Sequence, residues 1–149
     1  MPWPVLLAAL FVTTPGQTRS AGYDPARDPA RDLEVVVKQA QQEGKRILLV
    51  IGGEWCSWCH ALEAYLKENE DVRTEWANRF VTLKVNFSPE NQNRSFLGRY
   101  PLIPGYPHIF VLERDGRFLH SQGTAELESG RSYSKEKMMQ FIDRWRIRR

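Results

Sequence analysis

The alternation of apolar and polar residues divides the chain into strand-like and helix-like stretches. Residues 47–51 form an uninterrupted and mostly β-branched or leucine run, which is typical of a strand buried on both faces. In residues 81–87, apolar side chains alternate with polar ones, which predicts a second strand. Between these strands, Leu62, Tyr65 and Leu66 recur at helical spacing. This order predicts a βαβ unit with parallel strands and a right-handed crossover.

The same patterns predict elements on both sides of this unit, and most begin or end at a recognisable cap or turn residue. They are a helix that Asp32 caps and Gly44 ends, a short helix over residues 70–78, another around residues 94–98, a strand over residues 108–112, a hairpin turn at Asp115-Gly116 leading into residues 117–121, an irregular loop over residues 123–133, and a last helix capped by Ser134. Helices and strands of this mixture indicate an α/β fold.

The first residues differ in composition from the rest of the chain. Residues 5–12 are an apolar run too short to span a bilayer, and small residues follow at Ser20 to Gly22. This predicts a signal peptide over residues 1–22, although no Lys or Arg precedes the apolar run. Residues 23–32 carry two Asp-Pro steps and are expected to be an extended lead-in, followed by one domain over residues 33–149.

Composition and charge narrow the classes of protein that fit. The 149 residues, of which 42% are hydrophobic, are enough for one domain with a core. The net charge of +3 owes much to arginines at the C-terminal end, where they suit the end of a helix. No basic stripe interleaves with aromatic residues, so we expect no nucleic-acid partner. Because the apolar run of residues 5–12 is too short to cross a bilayer, we also expect no stable membrane span. The chain is expected to be a monomer.

The motif Trp55-Cys56-Ser57-Trp58-Cys59-His60 contains both cysteines of the chain and lies where the first predicted strand gives way to a helix. Cys56 is therefore expected at the helix N-terminus, where free amides and the helix dipole favour a thiolate. The thiolate is the form of cysteine that attacks disulfides. Cys59 lies about one turn further, near enough to form a disulfide with Cys56.

Other chemistries use similar residues. Cys-x-x-Cys-His is also the attachment signature of a c-type haem, but the preceding apolar strand is unlike a cytochrome. A zinc site would want a fourth ligand, and no second Cys/His pair is present, so no metal is expected. A purely structural bridge across so short a loop would constrain little of the unfolded chain. Redox chemistry is favoured, while haem binding, an inert bridge and a non-catalytic binding module stay as alternatives.

The order of elements and the motif together resemble the thioredoxin superfamily, particularly extracytoplasmic members with a Trp-Cys-x-Trp-Cys motif. The resemblance implies a three-layer sandwich, with a central mixed sheet between helices and an extra N-terminal helix. Tyr106-Pro107 resembles the family's cis-proline segment, which faces the cysteines and pairs with an extended substrate segment. It implies a thiol–disulfide oxidoreductase with Cys56 and Cys59 as catalytic residues and no cofactor.

The resemblance also suggests roles for surrounding side chains. Trp55, Trp58, Tyr106 and Pro107 are candidates for substrate binding, while His60 and Lys84 are candidates for tuning the cysteines. The family's buried Asp is replaced here by Val50, so proton transfer at Cys59 would need water, Lys84 or Glu54. Expected partners are protein disulfide or dithiol substrates and a redox partner protein, in an extracytoplasmic, periplasmic or secreted location.

Overall fold

A computed structural model describes residues 20–148, built around a four-stranded sheet in the order β2-β1-β3-β4. Strand β1 is parallel to β2 and antiparallel to β3, and β3 is antiparallel to β4. These strands are Arg46–Gly52 (β1), Phe80–Asn86 (β2), His108–Leu112 (β3) and Phe118–Gly123 (β4). The parallel pairing of β1 and β2 confirms the predicted βαβ unit.

Helices cover both faces of the sheet, which confirms the predicted α/β three-layer arrangement. They are Pro29–Glu43 (α1), Ser57–Glu68 (α2), Glu70–Arg79 (α3), Arg94–Leu97 (α4) and Lys135–Trp145 (α5). Alternate residues of β1 serve the two faces: Leu48 and Val50 pack with α2, α3 and α5, whereas Leu49 and Ile51 pack with α1 and α4. Burial on both faces explains why the β1 sequence is continuously apolar.

Helix α1 begins earlier than predicted, and its cap is a different aspartate. The side chain of Asp28 accepts hydrogen bonds from the backbone amides of Ala30 and Arg31. Pro29 occupies the first helical position, where its missing N–H and fixed φ are suited to a helix start. Asp32 lies inside the first turn and pairs with Arg27. The second Asp-Pro step therefore starts the helix, and residues 29–32 are not extended. Gly44 ends α1 as predicted, in the left-handed conformation.

The region after β3 is more regular than predicted. Strand β4 extends to Gly123, beyond the predicted residues 117–121. The predicted irregular loop contains a 3-10 turn over Thr124–Leu127 and a small hairpin of Glu128–Ser129 (β5) and Ser132–Tyr133 (β6). Ser134 caps α5, as predicted, by accepting from the Lys137 amide. The hairpin brings Tyr133 into the core next to α2.

Two predictions concern the ends of the chain and its relation to a membrane. The predicted leader lies outside the described residues except for Ser20 to Gly22. Within residues 20–148, every helix is too short or too polar to cross a bilayer.

The assignment of the α1 cap can be tested by substitution. We expect Asp28→Ala to lower the free energy of unfolding by about 1 kcal/mol, because two amides at the start of α1 lose their acceptor. The measurement is equilibrium denaturation. Glu34→Ala is the matched control, since it removes an exposed carboxylate from the same helix without touching the cap. An equal effect of the two substitutions would contradict the assigned cap.

Candidate active site

Cys56 and Cys59 form a disulfide at the junction of β1 and α2, as the spacing predicts. Their Cα atoms are 5.2 Å apart. Cys56 is the N-cap of α2, and its Sγ accepts a hydrogen bond from the Cys59 amide at 3.1 Å. The first turn of α2 carries no acidic residue. After reduction, the unpaired amides and the positive end of the helix would therefore favour a thiolate on Cys56.

The Tyr106–Pro107 peptide bond is cis, as the resemblance implied. Pro107 immediately precedes β3, and its carbonyl oxygen accepts a hydrogen bond from Thr124 Oγ1 at 2.7 Å. Tyr106 packs against the buried cluster that contains both cysteines. The proline segment and the cysteine motif, about fifty residues apart in sequence, are thus neighbours in the fold.

Aromatic side chains surround this junction. Trp55 is 53% exposed, lies edge-on to Tyr106 with ring centroids 5.6 Å apart, and donates from Nε1 to the Phe87 carbonyl at 2.7 Å. Tyr106 also stacks on Phe87 at 4.9 Å. Trp58 is partly buried and packs between the cysteine cluster and Tyr133. Trp55 and Tyr106 therefore form a surface beside the cysteines, whereas Trp58 joins them to the core.

The two candidate tuning residues interact with neighbours other than the sulfurs. The Nε2 of His60 is 2.6 Å from the Glu54 carbonyl oxygen and 3.8 Å from the Glu54 carboxylate. Lys84, which is paired with Val50 across β1 and β2, donates to the Ala21 carbonyl and to Glu63. Val50 itself is buried in the core below α2. His60 therefore contacts Glu54, and Lys84 contacts Ala21, a member of the buried cluster that contains both cysteines.

Sequence reasoning missed a further part of the site, the segment Ser20 to Tyr23. Ala21 is fully buried and Tyr23 is 7% exposed, and both belong to the cluster formed by the two cysteines. The carboxylate of Glu54 accepts hydrogen bonds from the amides of Ala21 at 2.9 Å and Tyr23 at 2.7 Å. No periodicity marks these residues. The one sequence signal is Glu54, an acidic side chain immediately before the cysteine motif.

The bonds to Glu54 change its chemistry. Partial burial raises the pKa of the Glu54 carboxyl, but the hydrogen bonds from Ala21 and Tyr23, together with nearby His60, outweigh burial and hold that pKa below its usual value. Glu54 is therefore an ionised acceptor already used by the backbone. Of the groups considered for proton transfer at Cys59, namely water, Lys84 and Glu54, Glu54 is therefore poorly suited.

The geometry does not fit the haem alternative. The two sulfurs that would bond the vinyl groups are joined to each other and buried among Ala21, Tyr23 and neighbouring aromatic rings. The His60 nitrogen Nε2 is engaged by Glu54. Across the part of the chain that the structure describes, no group of three or more His, Cys, Asp or Glu side chains is arranged to hold a metal ion.

The sheet topology, the cysteine pair at a helix N-terminus and the adjacent cis-proline define a thioredoxin-fold domain with a Cys-x-x-Cys centre. A family model described as thioredoxin-like matches residues 28–113, more than half of the chain. The chain therefore belongs to the thioredoxin-like family.

Curated relatives include the thiol:disulfide interchange proteins DsbD of Pseudomonas sp. (strain JR1 / K1) and Colwellia psychrerythraea. The first is 29% identical over 121 residues, covering 80% of this chain and 19% of the relative. The second is 26% identical over 103 residues, covering 68% of this chain and 17% of the relative. The chain thus spans about a fifth of the length of these proteins.

Similar solved structures include a disulphide isomerase from Xylella fastidiosa Temecula1, with 25% identity and a TM-score of 0.71. The alignment covers 83% of this chain and 95% of that one. The oxidised C-terminal domain of Neisseria meningitidis DsbD shares the fold, with 22% identity and a TM-score of 0.57 over 80% of this chain and 97% of that one.

The tight packing around the sulfurs gives a stability prediction at Gly52. A Cβ at this position would overlap the Cys59 sulfur and lie 2.9 Å from the Tyr23 ring and hydroxyl. We expect Gly52→Ala to lower the free energy of unfolding of the oxidised protein by about 1–3 kcal/mol through overpacking. Gly105→Ala is the control, because nothing lies within 4 Å of its Cβ. Equal denaturation midpoints for the two variants would show that the cluster is looser than described.

Proposed function

We propose that the protein is a thiol–disulfide oxidoreductase that exchanges disulfides with protein substrates through Cys56 and Cys59. One observation carries the proposal: the Cys56 sulfur caps a helix and is bonded to Cys59 in a cluster that also contacts Tyr106 of the cis-proline segment. The similarity to thiol:disulfide interchange proteins and to a disulphide isomerase supports it.

The reaction proceeds in two exchange steps. In the reduced protein, the Cys56 thiolate attacks one sulfur of a substrate disulfide, the substrate S–S bond breaks, and the second substrate sulfur leaves as a thiolate that takes a proton from solvent. The Cys59 thiolate then attacks the Cys56 sulfur, re-forming the Cys56–Cys59 disulfide and releasing the other substrate sulfur. The substrate gains two electrons and the protein loses two. The reverse sequence oxidises a substrate dithiol.

The surface of Trp55 and Tyr106 is the proposed substrate-docking site. Trp55 offers an exposed aromatic face, and the backbone before Pro107 is suited to pairing with an extended substrate segment. Trp58 holds the motif against Tyr133, while His60 and Lys84 position Glu54 and Ala21 around the cysteines. These assignments give the six candidate binding and tuning residues defined roles.

The proposed partners follow from the chemistry. A protein that ends one turnover with an oxidised pair needs a dithiol protein to reduce it, and one that donates its disulfide needs an oxidant. We propose a monomer that acts outside the cytosol on exported proteins, where disulfides persist. The similarity to thiol:disulfide interchange proteins supports protein redox partners.

The two cysteines can be assigned by single substitutions. We expect Cys56→Ser to abolish reduction of a protein disulfide such as that of insulin, because the attacking thiolate is gone. Cys59→Ser should instead accumulate a mixed disulfide with the substrate, seen as an adduct by intact mass spectrometry and removed by dithiothreitol. Since the chain has two cysteines, the double substitution is the blank for both assays. Activity in Cys56→Ser would end the scheme, and the lack of an adduct would remove Cys59 as the resolving cysteine.

The packing of the N-terminal segment refines the proposed leader over residues 1–22. Cleavage after Gly22 would remove the Ala21 amide and carbonyl that bind Glu54 and Lys84. We therefore expect the mature chain to retain Ala21, with cleavage at or before the Ser20–Ala21 bond. N-terminal sequencing and the intact mass of the exported protein check this. A mature chain that begins at Gly22 or Tyr23 would contradict the expectation.

A further inference from the structure

The hydroxyl of Tyr23 and the sulfur of the second cysteine approach the same point above Gly52. A Cβ on Gly52 would overlap Cys59 Sγ and would lie 2.9 Å from both Cζ and Oη of Tyr23. The sulfur and the hydroxyl therefore border the same small space above Gly52. Tyr23 is 7% exposed and belongs to one buried cluster with Ala21, Cys56 and Cys59.

The position of Tyr23 is held from two sides. On one side, the Glu54 carboxylate binds the amides of Ala21 and Tyr23. On the other side, Lys84 donates to the Ala21 carbonyl, and its ammonium nitrogen lies 5.3 Å from the centre of the Tyr23 ring. These contacts join residues more than thirty positions apart in sequence. Two charged side chains, Glu54 and Lys84, thus fix the backbone on which Tyr23 is carried.

The surroundings of Tyr23 keep its phenol neutral. Burial raises the pKa of the Tyr23 hydroxyl, and Glu63, Tyr133 and Glu54 raise it further. Lys84 is the cation that faces the ring. Tyr23 therefore keeps its proton at neutral pH, so its hydroxyl is available to donate a hydrogen bond and does not act as a base. A hydrogen bond donated to a cysteine sulfur stabilises the thiolate over the thiol.

We propose that Tyr23 is a positioning residue for Cys59, whose hydroxyl donates a hydrogen bond to the Cys59 thiolate in the reduced protein. The inference rests on the proposed function, and it deepens it by giving the resolving step its own supporting group. Val50, the residue of β1 at the position of the missing acid, is apolar and buried in the core on the α2 side of the sheet. During resolution Tyr23 keeps its proton, the Cys59–Cys56 bond forms as the bond between Cys56 and the substrate sulfur breaks, and the departing substrate thiolate is protonated by solvent.

The two exchange steps can be separated by mixing the reduced full chain with 5,5′-dithiobis(2-nitrobenzoate) in a stopped-flow instrument. The first release of thionitrobenzoate reports attack by Cys56, and the second reports attack by Cys59 on the adduct. For Tyr23→Phe, which keeps the ring, we expect the second phase to slow about tenfold at neutral pH, with its pH midpoint about one unit higher. The first phase should change by less than about twofold.

A matched control and an independent titration make the result decisive. Tyr65→Phe removes a buried hydroxyl from α2, away from the cysteine cluster, and should leave both phases unchanged. In a Cys56→Ser background, the ultraviolet absorbance of the Cys59 thiolate should titrate at higher pH when Tyr23 is replaced by Phe. A second phase and a Cys59 titration that match wild type, or equal slowing of both phases, would overturn the role of Tyr23. Absence of both phases in the wild-type protein would instead overturn the proposed function.

Discussion

The attraction between the start of α2 and the sulfur of Cys56 is the interaction on which the rest of the site depends. It requires that the chain leave the sheet and enter the helix at a fixed point, so that the sulfur meets the free amides of the first turn. Strand β1 provides that point, because its burial between two helical layers allows no shift of register. The chemistry of the cysteine pair is thus a consequence of how β1 is packed.

Much of the fold follows from periodicity alone. The apolar run of β1, the alternation in β2 and the helical spacing in α2 and α5 each reflect which faces are buried, and burial is what a sequence pattern records. The start of α1 was missed because an Asp-Pro step disfavours helix before the proline but favours helix after it. Both effects belong to the same dipeptide, and the cap geometry decides between them.

Some residues of the candidate site are also recognisable from local sequence, and others are not. Cys56 and Cys59 are recognisable because their spacing and their place after a strand are local features, and Pro107 is recognisable through its family motif. Tyr23 and Ala21 were not predicted, since their roles depend on hydrogen bonds to Glu54 that join distant parts of the chain. Glu54 is visible in the sequence as an acidic residue before the cysteine motif, but the sequence does not say which amides its carboxylate will bind.

The anchoring of Ser20 to Tyr23 affects how the protein should be truncated for recombinant work. The family match begins at Asp28 and ends at Glu113. A fragment trimmed to those limits would lack Tyr23 and Ala21 on one side of the sulfurs, and also Thr124, whose hydroxyl binds the carbonyl of Pro107. Such a fragment would keep the Cys-x-x-Cys motif but would also lose β4 and α5, which supplies Met138, Phe141 and Ile142 to the core against β1. A shortened version can therefore retain the recognisable signature and still behave as a different reagent.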